Sequence, residues 1–79
     1  MKSEQILELI LEERKRQYSL PGREYDEKNS VNDWISIVAH YLFDEVKRNN
    51  IEPNIENTKD NLIKASAVLL AALENIINK

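Results

Sequence analysis

The segment from residue 62 to residue 73, Leu-Ile-Lys-Ala-Ser-Ala-Val-Leu-Leu-Ala-Ala-Leu, carries one charge in twelve residues. Its apolar side chains do not form a single stripe. They run almost all the way round the helix that the spacing predicts. A surface helix buries a stripe, whereas a helix apolar on every side has to be covered on every side. The chain has 79 residues, which leaves only two further short helices as cover. A second copy of the chain is the simplest completion. The expectation is an all-α protein, a three-helix antiparallel bundle assembling into a helical homo-oligomer.

Breaks in the apolar pattern set the organisation. There is one glycine and there are two prolines, and they fall where the periodicity stops. Helix one is expected over about residues 3–18, with Ser3 as N-cap and Ile6, Leu7, Ile10 and Leu11 as its stripe. A polar connection follows over 19–30, long for so small a domain, which suits a functional or mobile loop. Helix two is expected over about 31–49, with Ser30 as cap and Asp33 completing a capping box. Trp34, Ile37, Val38, Tyr41, Leu42 and Val46 form its stripe. A second connection spans 50–57, and helix three runs over about 58–77 from a cap at Asn57 or Thr58. The expected oligomer contact is this third helix. All 79 residues make one domain.

Composition narrows the function classes. The chain has no cysteine and one histidine, so disulfides and a zinc site built within one chain are excluded. No 18-residue uncharged run is present, so no membrane-spanning helix is expected. The N-terminal residues lack the basic, apolar and small-residue layout of a secretory signal. A cytoplasmic protein is expected. Fourteen acidic and eleven basic residues are intermixed, for a net charge of −3. General nucleic-acid binding needs a concentrated basic face and is not expected. A small phosphate-bearing ligand needs only a few local cations.

Four groups of residues bear on such a ligand. Glu13-Arg14-Lys15-Arg16-Gln17 ends helix one. It is either a solvated terminus matched to the helix dipole or a guanidinium cluster for phosphate, with Arg14, Arg16 and Arg23 as the arginines. Trp34, Tyr25 and Tyr41 either pack or stack on a base. His40 and Asp44 stand one turn apart on helix two, with Glu45 next to them. Asn61 and Lys64 stand on helix three. Lys64 either snorkels to the surface or enters a pocket, where it needs a carboxylate such as Asp44 or a phosphate. No glycine-rich phosphate loop, nucleophilic cysteine or Ser-His-Asp arrangement stands out.

Taken together, Glu13-Arg14-Lys15-Arg16-Gln17, Asn32-Asp33-Trp34-Ile35 and the run from Asn61 to Glu74 resemble the small MazG-like proteins of phages. The resemblance covers about residues 5–77. It implies an all-α nucleoside triphosphate pyrophosphohydrolase fold, working as a dimer or tetramer in a phage-infected or lysogenic bacterial cell. It also implies magnesium held by Glu-x-x-Glu on one helix and Glu-x-x-Asp on a later one, activating water for attack on the phosphates.

The chain departs from that pattern at the chemistry. After the Trp it has His40-Tyr41-Leu42-Phe43-Asp44, and on the later helix Asn61-Leu62-Ile63-Lys64. Of the carboxylates the family pattern requires, Asp44 alone stands in place, and a hard cation needs several oxygen ligands. The expectation is a non-catalytic binder of a nucleotide or nucleotide derivative, needing no cofactor, that in a phage could sequester a nucleotide immune signal. Competing expectations are a magnesium-dependent pyrophosphohydrolase and a helical module acting on a host protein.

Overall fold

The computed structural model describes residues 1–20, 28–44 and 54–78. They form three helices, α1 (Ser3–Tyr18), α2 (Val31–Phe43) and α3 (Ile55–Ile77), and no strand. Among the described residues no helix is long and apolar enough to cross a membrane.

Local chemistry explains each helix start. At α2 the capping box is reciprocal: Asp33 N–H donates to Ser30 Oγ (3.1 Å) and Ser30 N–H to Asp33 Oδ2 (2.8 Å). The other two starts differ from expectation. Lys2 rather than Ser3 holds the cap position of α1, where its N–H is captured by Gln5 Oε1 at 2.8 Å. α3 begins at Ile55, with Asn54 Oδ1 accepting from Asn57 N–H at 3.0 Å. Asn54, Asn57 and Thr58 are all able caps, and using the earliest adds a turn of backbone hydrogen bonds. At the far end of helix two, α2 is described to Phe43. Residues 45–49 of the expected helix, Val46 included, lie outside the described residues.

α3 is the hub, with α1 and α2 both packed on it. α2 runs antiparallel to it: Trp34 and Ala72 line one groove, and Asn61 Nδ2 donates to Asp44 Oδ2 at the other end. α1 crosses α3. Met1 and Ile6 share a groove with Lys59 and Leu62, while Arg14 reaches Glu74. The core is Trp34 and Val38 of α2 against Ala65, Val68, Ala71 and Ala72 of α3, with Ile37 and Tyr41 packed beside it.

The direction of the apolar residues on α3 is the main finding here. Its alanines point inward, where small side chains let two neighbouring helices approach closely. Its large residues, Leu62, Leu69, Leu73 and Ile76, are exposed. α1 contributes no buried residue at all, and of its expected stripe Ile6, Leu7 and Leu11 are exposed. No large side chain anywhere among the described residues is fully buried. Interiors normally fill with Leu, Ile and Phe, so a single copy leaves much of its hydrophobic material in water.

Candidate functional site

Where the last turns of α1 meet α2 and α3, a cavity of about 160 Å³ opens between Arg14, Gln17, Trp34, Ile37, Tyr41 and Val68. Its floor is apolar and comes from the helix stripes. The polar rim comes from α1, because the charged end of that helix points over the α2–α3 crevice.

Arg14 is the most constrained polar group in it. The side chain is only 14 % exposed. One guanidinium nitrogen, Nη2, lies 3.2 Å from Glu74 Oε2, and the guanidinium carbon sits 5.4 Å from the centroid of the Tyr18 ring. Its Nε is buried and has no hydrogen-bond partner. Buried N–H groups are nearly always paired, so this donor is an exception, on a side chain that also lines the cavity.

Glu13 organises the other side. It accepts from Arg16 Nε (2.8 Å) and Nη2 (2.6 Å), a bidentate pair, and from Gln17 Nε2 (2.9 Å). The Arg16 hydrogen bonds hold its carboxyl below the ordinary value. Gln17 and the charges of Arg16 and Lys64 add to this, and partial burial opposes it. The same pair raises the Arg16 guanidinium above its usual value. Gln17 also donates to the backbone carbonyl of Lys64 (3.3 Å), tying α1 to α3.

The structure therefore gathers the charges of Arg16 and Lys64 around Glu13. Arg14, Trp34 and Tyr41 line the cavity itself. Trp34 is core as well as wall, so packing and stacking are not alternatives for it. Lys64 is half-buried, and the carboxylate that feels its charge is Glu13. Asp44, the partner suggested by the sequence, instead accepts from Asn61 at 3.3 Å. His40 is exposed, with its ring edge-on to Tyr41 at 5.6 Å. Arg23, Tyr25 and Glu45 lie outside the described residues.

The sequence names Glu13 and Gln17 only as part of the charged end of helix one, and Glu74 only within the MazG-like run, with no partner for any of them. Glu13 could have been found, since Arg16 and Gln17 stand three and four residues beyond it on one helix face. Glu74 could not, because it meets Arg14 only across 60 residues of chain.

Magnesium, which the MazG-like resemblance implies, has a poor donor set here. Asp44 has an amide beside it and, one turn along α3, a lysine. Among the described residues no three His, Asp or Glu side chains converge on a point. The described residues by themselves do not supply the several oxygen ligands that a hard divalent cation takes.

Fold and site together define an all-α arrangement of three helices among the described residues, with a small cavity lined by one guanidinium, one amide and two aromatic rings. No family model, curated protein or solved structure matches the chain.

Proposed function

We propose that the protein is a self-associating, non-catalytic binder of a small phosphate-bearing molecule, a nucleotide or nucleotide derivative, held at the Arg14 cavity. The observation that carries this reading is the buried, unpaired Nε of Arg14, whose side chain lines a cavity together with Trp34 and Tyr41. An arginine fork matches phosphate oxygens, and a ring beside it offers a face to a base. In the phage setting that the MazG-like resemblance implies, such a binder takes a nucleotide immune signal out of circulation.

The local charges set a condition on binding. Arg14, Arg16 and Lys64 stand among Glu13, Glu74 and Asp44, so the site is close to neutral. Of these partners Glu74 is the one a ligand can replace. Its side chain is 46 % exposed and it meets Arg14 through one 3.2 Å contact, and exposed pairs of this kind contribute about 0–1 kcal/mol. An incoming phosphate that displaces Glu74 gains the second guanidinium nitrogen along with Nε.

Thermal-shift measurement with inorganic phosphate, nucleoside mono- and triphosphates and cyclic dinucleotides tests the reading. A ligand that binds only the folded state raises the melting temperature by mass action. At least one phosphate-bearing member should do so, and Arg14→Ala should remove the shift. A flat panel, or a shift untouched by Arg14→Ala, overturns this function. It would favour the second reading, an interaction module for another protein, which the exposed leucines of α3 support. Pyrophosphate release with Mg²⁺ that Asp44→Asn abolishes would overturn both in favour of the pyrophosphohydrolase.

A further inference from the structure

The solvent-facing side of α3 carries its own pattern. Ile55, Leu62, Leu69 and Ile76 fall seven residues apart, and Lys59, Ser66 and Leu73 each stand four residues further on. Apolar residues recur every seven from Ile55 to Ile76, the repeat of one of the two seam positions of a left-handed coiled coil, and the other position holds Lys59, Ser66 and Leu73. At 1.5 Å per residue the seam is about 32 Å long. Its apolar members are between 47 % and 72 % exposed, while the core face of the same helix is made by Ala65, Val68 and Ala72. Nothing in the intrachain packing of α1 or α2 calls for a strict seven-residue repeat on the outer side.

Two apolar grooves flank this ridge on opposite halves of the helix. One, of about 480 Å³, lies against α1 and reaches Leu62, Ile63 and Ser66. The other, of about 290 Å³, lies against α2 and reaches Leu69 and Ala72.

We infer that α3 pairs with α3 of a second copy, antiparallel, about a two-fold axis at Ser66. This rests on the self-association in the reading above and names its face and register. The axis position follows from three features. Ser66 is small and central to the seam, and its hydroxyl already donates to the Leu62 carbonyl (2.7 Å) within the helix, so close approach strands no polar group. A two-fold there sets Lys59 against Leu73 and the adjoining Glu74 of the second copy. A parallel pair would instead stack Lys59 on Lys59, like charges in contact. Finally, the axis lays the Leu69–Leu73 ridge of one copy over the larger groove at Leu62 and Ser66 of the other, and the reverse. Each copy gives a ridge and receives one, which closes the assembly as an isologous dimer.

Because the chain has no cysteine, single introduced thiols report the register cleanly. Under mild oxidation Ser66→Cys should crosslink to a dimer. Leu73→Cys should not crosslink with itself, whereas a mixture of Lys59→Cys and Leu73→Cys should. In sedimentation velocity at micromolar concentration the wild type should run as a dimer or a multiple of one. Leu62→Glu and Leu69→Glu should run as monomers that keep their helical circular dichroism, since both positions are solvent-exposed in the single chain. A monomeric wild type, or variants that remain dimeric, overturns the pairing and assigns the ridge to a different occupant. Self-crosslinking of Leu73→Cys, or none of Ser66→Cys, overturns the antiparallel register. Should a glutamate variant fail to fold, the thiol pairs still decide. Loss of ligand binding alone would leave every mass and crosslink unchanged, so the two readings fail separately.

Discussion

Replacing Trp34 by alanine tests the packing logic of the whole chain. Its indole is 5 % exposed and forms a wall of both the Arg14 cavity and the α2–α3 groove. Its core neighbours on α3 are Ala65, Val68, Ala71 and Ala72. Alanines cannot extend to refill the space, so the two cavities should join rather than collapse. Large-to-small core changes at aromatic positions cost about 3–5 kcal/mol, with the upper end where the site cannot relax. A chain of 79 residues has about 4–12 kcal/mol of total stability at 0.05–0.15 kcal/mol per residue. Trp34→Ala should therefore remove about a quarter or more of it, and at the bottom of that range leave the chain largely unfolded at 25 °C. Urea unfolding followed by circular dichroism at 222 nm, at several protein concentrations, reads this directly. Leu69→Ala is the control: exposed in one copy, it should change the midpoint mainly through its dependence on concentration. A Trp34→Ala loss below about 1 kcal/mol would mean that this indole is not the centre of the core.

Other consequences follow from the same geometry. The folded-state value of the Glu13 carboxyl lies below its ordinary 4.5, so the stability it contributes is full above pH 4.5 and disappears as pH falls through the depressed folded value. Glu13→Gln should lower stability in the neutral region, where the carboxylate contributes, and flatten the acid limb of the stability–pH curve below pH 4.5; an unaltered acid limb would refute this. Glu74→Gln removes an exposed pair of about 0–1 kcal/mol, so stability should hardly move while a phosphate-bearing ligand binds up to about fivefold more tightly, as calorimetric titration would show. Weaker binding would mean that Glu74 positions Arg14 rather than competing for it. Ser30→Ala and Asn54→Ala should each cost about 1 kcal/mol as lost caps, with the Asn54 variant also losing helical signal from the first turn of α3.

How legible all this was in the sequence depended on the range of each interaction. The Ser30–Asp33 box was readable because both halves lie within one turn. The start of α3 was not, because three able caps stand within five residues and tertiary packing selects among them. That the third helix is apolar all round was plain. Which residues it turns inward was not: periodicity counts Ala and Leu alike, and only close packing of α1 and α2 on one rod explains why alanines face in and leucines out. Residue type and helix position single out Arg14, Trp34, Tyr41 and Lys64 as candidates, and the fold puts the first three around one cavity. Their carboxylate neighbours were not legible, since Arg14 meets Glu74 and the charge of Lys64 reaches Glu13 only through the fold.

The central claim is that Arg14 and the neighbouring rings hold a phosphate-bearing ligand, and the chain has a built-in reporter for it. Trp34 is its only tryptophan and lines the cavity. Titrating the protein with a cyclic dinucleotide and with nucleoside mono- and triphosphates while following Trp34 fluorescence measures the claim directly. The account predicts a saturable change with at least one of them, lost in Arg14→Ala at unchanged circular dichroism. No change with any of them, or an equal change in Arg14→Ala, would contradict it.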